Sequence, residues 1–212
     1  MALFNDLGSL AGLFMQPNKT ENKQLASRAG VDTNDFSKIA TLALPLLLQG
    51  MNKNNQSEDG LASFNQALTQ HQTRNNYDSL DQFAQNVDTD DGNKIVNNVF
   101  SNNQSSTVTS GLADRLGVSP QTVQRTLAVL APLVLKYLAD RKRENNLDAQ
   151  AVQNETQNAT TQVAQRVREM NTSGNNGGGL LDGLLGGLFS SDDSNNDQKD
   201  QGLLGDLFNL FK

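Results

Sequence analysis

A motif that occurs twice in the chain constrains its fold more than any other feature of the sequence. The segment ASRAGVDTNDFSKIATLALPLLL aligns without gaps with ADRLGVSPQTVQRTLAVLAPLVL, so that Gly30 falls on Gly117 and Pro45 on Pro132. Internal similarity at a fixed period indicates a fold built from related structural units. We therefore expect two related helical repeats.

Each copy of the motif predicts a short helix, a tight turn and a long apolar helix. Glycine tolerates the left-handed conformation that ends many helices, so Gly30 and Gly117 are expected to end the short helices. Ser119 stands before a proline and is the expected N-cap of the second long helix, as Asp32 and Thr33 are of the first. The proline inside each long helix is expected to kink it, because its ring removes one backbone hydrogen bond.

Apolar residues at helical spacing predict further helices, and no run of alternating β-branched residues predicts a strand. Helices are expected to begin at Ser57 and Ser79, a short helix is expected over 91–100, and a long, weakly apolar helix over 147–170. The longest apolar runs have about half of the roughly 20 residues that a membrane-spanning helix requires. The predicted fold class is all-α and multihelical, with kinked apolar core helices and a Gly/Leu-rich C-terminal tail.

These elements divide the chain into four parts. An N-terminal amphipathic segment, 1–18, precedes repeat 1 at 19–88 and repeat 2 with its long polar helix at 89–170. Residues 171–212 alternate Gly-, Ser- and Asn-rich tracts with two short apolar segments. Such tracts bury too little apolar area to offset the entropy of ordering them, so we expect a flexible tail.

The composition argues against several classes of function. The 212 residues include no cysteine and one histidine, His71, which leaves no thiolate or histidine metal site and no catalytic triad within one chain. Segment 88–94, DTDDGNK, begins like a calcium loop, but its Gly92 stands fifth instead of sixth, so we interpret its acidic residues as a helix cap. We expect no enzymatic activity, no cofactor and no small-molecule substrate.

Charge and the N-terminus bear on partners and location. The net charge of -6 argues against a broad contact with nucleic acid or anionic lipid. The N-terminus carries no basic residue before its apolar ones and does not resemble a secretory signal. We therefore expect a cytoplasmic protein.

Two C-terminal segments carry a signal for protein binding. GLLDGLLGGLF and GLLGDLFNLF place Leu and Phe at the spacing of a helix that docks in a groove. Helices this short are marginal in water, so we expect them to fold only against a protein partner or a second copy of the chain. The N-terminal ALFNDLGSLAGLF has the same spacing, and closure over the protein's own core is an equal alternative for it. The candidate partner-binding residues are Leu181, Leu184, Leu185, Leu188, Phe189, Leu204, Leu207, Phe208 and Phe211.

DNA binding is the alternative function that the sequence suggests. Ala113, Gly117 and Val123 have the spacing of a helix-turn-helix, and the basic run at 141–143 would then contact phosphate. The candidate DNA-binding residues are Arg115, Gln121, Thr122 and Arg125. The same spacing also packs two helices across a glycine turn. We favour that interpretation, because the second helix continues into the apolar LAVLAPLVL and the chain is acidic.

The second half of the chain resembles a known bacterial family. Residues 91–143 are similar to the family's sequence of a DG…I…F segment, a Gly-Val turn and an L-x-x-L-A-P-L-V helix. The family is the YidB-like proteins, domain of unknown function 937, and a looser match extends the resemblance from about residue 13 to 145. The resemblance implies an all-helical fold and no established activity, so it assigns no functional residue.

Overall fold

The computed structural model describes residues 7–74, 77 and 79–172, and these residues form eight α-helices and no strand. The helices are α1 (Leu7–Phe14), α2 (Thr20–Ala29), α3 (Thr33–Asn54), α4 (Glu58–Arg74), α5 (Leu80–Asn86), α6 (Thr89–Leu116), α7 (Pro120–Glu144) and α8 (Ala149–Thr172). The all-α prediction is confirmed.

Left-handed glycines end the two helices that precede the long apolar ones, as predicted. Gly30 follows α2 with φ 66° and ψ 38°, and Gly117 follows α6 with φ 67° and ψ 32°. The amide of the residue after each glycine donates to the carbonyl five residues earlier, at 3.0 and 3.1 Å. This is the Schellman arrangement, which satisfies helix-end carbonyls and turns the chain sharply into the next helix.

The long helices α3 and α7 begin at their predicted caps. The Asp32 carboxylate accepts from the amides of Asn34 and Asp35, and the Ser119 hydroxyl accepts from the amide of Thr122. Each helix continues through its internal proline. The N-caps satisfy amides that have no partner within the helix.

Helices α3 and α7 form the centre of the core. Every residue of 39–48 in α3 and of 126–140 in α7 is buried. A helix that is apolar on all sides is stable only when neighbours cover all of it. None of the described helices, these two included, is long and apolar enough to cross a membrane.

The helix that follows each long helix packs mainly on the other long helix. Helix α4 follows α3 but lies against α7, and α8 follows α7 but lies against α3. Lys142 of α7 donates to the hydroxyl of Thr69 in α4 at 2.8 Å. Asn52 of α3 donates to the hydroxyl of Thr160 in α8 at 2.9 Å. This exchange joins both halves of the described chain around one core.

Helix α6 corrects two predictions, the short helix over 91–100 and the short helix expected before Gly117. It is one helix of 28 residues that ends only at Gly117. A straight helix of that length spans about 40 Å. Gly92, near its start, nevertheless lies against the backbone of Ala128 early in α7, where a Cβ would overlap the Ala128 carbonyl. Helix α6 therefore bends back along α7, and it continues because no proline and no glycine interrupt it between Gly92 and Gly111.

The remaining predicted helices are present. Helix α4 begins after Ser57, whose hydroxyl accepts from the amide of Gly60, and α5 begins after its N-cap Ser79. Helix α8 covers the segment predicted at 147–170 to within two residues. Its Val152 and Val163 are buried, as their helical spacing indicated.

The glycine turn before α7 gives a direct test of the fold. We expect Gly117→Val to lower the free energy of unfolding by about 1–3 kcal/mol, because a β-branched residue is strained at positive φ. The same change at Gly111, a helical position with no atom near the added Cβ, should alter it by less than about 0.5 kcal/mol. Urea denaturation of both variants measures the difference, and equal midpoints would contradict the turn assignment.

Candidate functional site

Residues 7–14 of the N-terminal amphipathic segment form α1, which packs on α3 and α8. Leu10, Ala11 and Phe14 are fully buried, whereas Ser9 on the opposite side is exposed. The ring of Phe14 meets that of Phe36 edge to face, with centroids 6.0 Å apart. Of the two alternatives, the structure thus shows closure over the protein's own core. We call the surface of α3 and α8 that covers these side chains the α1 site.

Helix α2 caps the end of α1. The Asn22 amide nitrogen donates to the carbonyls of Leu13 at 2.7 Å and Gln16 at 2.9 Å, and Asn22 is fully buried. The last carbonyls of a helix have no partner within it, so a buried amide that reaches two carbonyls at this end holds it in place. Asn22 could not be recognised from the sequence, because nothing distinguishes one asparagine in a chain so rich in asparagine.

The α1 site lies toward the end of α8. Asn55, at the end of α3, accepts from Gln153 in the first turns of α8 at 2.7 Å, and Asn52 donates to Thr160 further along. Helices α3 and α8 therefore run antiparallel. The first turn of α3, which holds α1, lies toward the last turn of α8, from which the chain continues into residues 173–212.

The C-terminal candidate residues lie outside the described residues. They are Leu181, Leu184, Leu185, Leu188, Phe189, Leu204, Leu207, Phe208 and Phe211. Their role stays a prediction, and α1 shows how a short helix with Leu and Phe on one face packs on this fold.

The candidate DNA-binding residues are brought together only in part. Gln121 and Arg125 are exposed and line a pocket of about 330 Å³ together with Arg28. Thr122 is half-buried, and its hydroxyl forms a hydrogen bond of 2.8 Å with the hydroxyl of Ser119, the N-cap of α7. Arg115 is half-buried at the end of α6. Two of the four residues therefore face one pocket, whereas Thr122 takes part in the cap of α7.

Arg28, the other arginine of this pocket, binds the C-terminal end of helix α5. Its Nε donates to the carbonyl of Val87, the C-cap of α5, at 3.1 Å, and its Nη2 donates to the same oxygen. The guanidinium of Arg28 therefore has a structural role, because it supplies a donor to a carbonyl at the end of α5.

The basic residues at the end of α7 make contacts within the protein, two of them to other helices. Arg141 donates to the carboxylate of Glu155 in α8 at 2.7 Å, and this bond raises the pKa of Arg141. Lys142 binds α4, and partial burial lowers the pKa of its ammonium. Arg143 pairs with Asp140 at 3.2 Å. The DNA-binding interpretation assigned these cations to phosphate, but the structure gives each of them an intramolecular contact.

Segment 88–94 is a helix cap, as interpreted from the sequence. The Asp88 carboxylate accepts from the amides of Asp90 at 2.9 Å and Asp91 at 3.1 Å. These two bonds hold the pKa of Asp88 below its usual value. His71 lies 3.6 Å from the Asp91 carboxylate. The described part of the chain contains no cluster of three or more residues that could hold a metal ion.

Comparison with known proteins places the chain in a family. The model of the family described as "Bacterial protein of unknown function (DUF937)" matches residues 12–141. The match covers more than half of the chain, and the chain belongs to this family, which confirms the resemblance. It extends from α1 into the last turns of α7. No curated protein and no solved structure matches the chain.

Asn22 provides a test of the α1 site. We expect Asn22→Ala to lower the free energy of unfolding by about 1–3 kcal/mol, because the carbonyls of Leu13 and Gln16 each lose the side-chain donor and keep only a backbone amide. Amide hydrogen exchange should increase most in α1. The exposed Gln16 donates to the Gly12 carbonyl at 3.1 Å, and Gln16→Ala should cost less than about 0.5 kcal/mol. Equal exchange in α1 of the two variants would contradict the capping role.

Proposed function

We propose that this member of a bacterial family of unknown function is a non-enzymatic protein-interaction module of the cytoplasm. It binds protein chains, second copies of itself included, through the short Leu- and Phe-rich segments at 180–189 and 203–211. The observation that supports this proposal is the packing of α1. A helix of eight residues with the same kind of sequence lies on the described core with three fully buried side chains.

The energetics of such a segment favour binding over isolation. A helix of this length does not hold its structure alone in water. Each fully buried Leu or Phe contributes about 1.5–3 kcal/mol, so burial of the anchors against a partner opposes the entropy cost of ordering a short helix. Two segments on one chain also raise the effective concentration of the second once the first is bound.

The acidic composition of these segments fits a protein partner better than a membrane. Each contains Asp among its Leu and Phe residues, and Lys212 is the one basic residue at or beside them. Helices that lie on anionic membranes carry Lys and Arg on the polar face. The apolar face of these segments therefore indicates a groove on a protein.

Light scattering coupled to size exclusion tests the proposal on the full chain. We expect oligomers whose mass rises with concentration, because the apolar anchors associate. Leu185→Asp with Phe189→Asp, and separately Leu207→Asp with Phe211→Asp, should reduce the mass toward that of the monomer. A charge in place of a buried anchor costs several kcal/mol.

The matched control adds the same charge beside the first segment. Ser190→Asp with Ser191→Asp should leave the mass distribution unchanged, since neither serine belongs to the apolar pattern. A monomer at every concentration, or equal loss of mass in the serine variant, would contradict self-association through these segments.

A further inference from the structure

We propose that the α1 site has a second occupant within the same chain, residues 185–189. This inference rests on the proposed function, since it takes segment 180–189 to be a docking helix and names its binding site. Residues 10–14 of α1 are LAGLF, and residues 185–189 are LGGLF. The two pentapeptides differ at one position.

The positions that α1 buries are those that the C-terminal segment reproduces. Leu10 and Phe14 are fully buried in the α1 site, and Leu185 and Phe189 stand in their places. Ala11 is fully buried as well, and its counterpart is the smaller Gly186, which fits wherever alanine does.

The second C-terminal segment does not meet the same requirement. Its residues 207–211 are LFNLF, which places Phe208 at the position of the buried Ala11. Protein interiors are close-packed, and a ring in the space of a methyl group forces neighbouring side chains apart. The α1 site therefore distinguishes the two segments, and 203–211 is left to bind elsewhere.

The chain is long enough to bring the segment to the site. Helix α8 ends near the α1 site, and residues 173–184 separate that end from Leu185. A Gly- and Asn-rich link of this length spans about 20 Å on average. The effective concentration of a segment on such a link is in the millimolar range, so docking within one chain precedes docking between chains in dilute solution.

The two segments compete for one site, and α1 is the stronger competitor. Glycine at 186 disfavours the helix by about fivefold relative to the alanine of α1. Segment 180–189 therefore takes the site when α1 leaves it or is weakened. The exchange releases the N-terminal segment, with its own Leu and Phe residues, for contact with another protein.

A double-mutant cycle in the full chain tests this competition. Phe14→Ala weakens α1, and the vacated site should then be filled by the C-terminal segment. Phe14→Ala lowers the folding equilibrium constant in both the natural chain and a chain that carries Phe189→Asp. We expect the factor of this decrease to be at least about five times larger with Phe189→Asp, because the C-terminal segment can then no longer fill the site. Urea unfolding measures both, at a concentration at which light scattering shows only monomer. If Phe14→Ala prevents folding, the milder Phe14→Leu replaces it in the same cycle.

Three tail variants separate specific docking from general hydrophobicity. Gly186→Phe adds apolar surface but places a ring at the buried position, so the rescue of Phe14→Ala should be lost. Gly186→Ala recreates the α1 pentapeptide and should enlarge the rescue. Phe211→Asp lies in the second segment and should leave it unchanged. Equal cost of Phe14→Ala with the natural tail and with Phe189→Asp would overturn the inference.

The double-mutant cycle tests the binding site of segment 185–189, whereas light scattering tests the proposed function, and the two results are independent. Coupling between positions 14 and 189 in the monomer supports the second occupant whether or not the chain forms oligomers. Oligomers that depend on Leu185 and Phe189 without such coupling would support the proposed function and refute this binding site.

Discussion

Two helices that are apolar on every side must be covered on every side, and the rest of the structure depends on that constraint. Helices α3 and α7 expose almost nothing along their central segments. Neither helix can be covered by its own sequence neighbours alone, and α4 and α8 each lie on the long helix of the other half. Helix α6 bends along α7, and α1 covers part of α3. Because α4 and α8 each pack on the long helix of the other half, neither half has a complete core without the other.

Buried polar groups add specificity to this apolar core. Lys136 and Asp140 form an ion pair at 2.9 Å with almost no exposure, and Arg143 binds the same carboxylate. Such a pair contributes little net stability against an apolar replacement, but removal of one partner leaves a buried charge and is costly. Thr41 and Thr156 bond back to carbonyls of their own helices at 2.8 Å. These contacts pair the buried hydroxyl groups of Thr41 and Thr156 within their own helices.

The packing of α1 connects the fold with the proposed function. The fold contains a surface for a short Leu- and Phe-rich helix, and the sequence contains further segments of that kind. The amphipathic pattern of the N-terminal segment is plain in the sequence, but the pattern is equally compatible with packing on the protein's own core and with binding to a partner. That choice depends on whether α3 and α8 leave room for Phe14, which is decided by the distance between helices far apart in sequence. The buried Asn22 and the contacts of the basic run at 141–143 were likewise missed, since their partners lie on other helices.

The sequence by itself determined the local geometry: both left-handed glycine turns, the Asp32, Ser79, Asp88 and Ser119 caps, and the all-α fold class. These features rest on hydrogen bonds between residues at most five apart, so the residue types suffice to specify them. The tertiary structure alone decided that α6 bends along α7, that α4 and α8 each pack on the long helix of the other half, and that α1 closes over the core. Those outcomes depend on which apolar surfaces meet, and no local hydrogen bond encodes that.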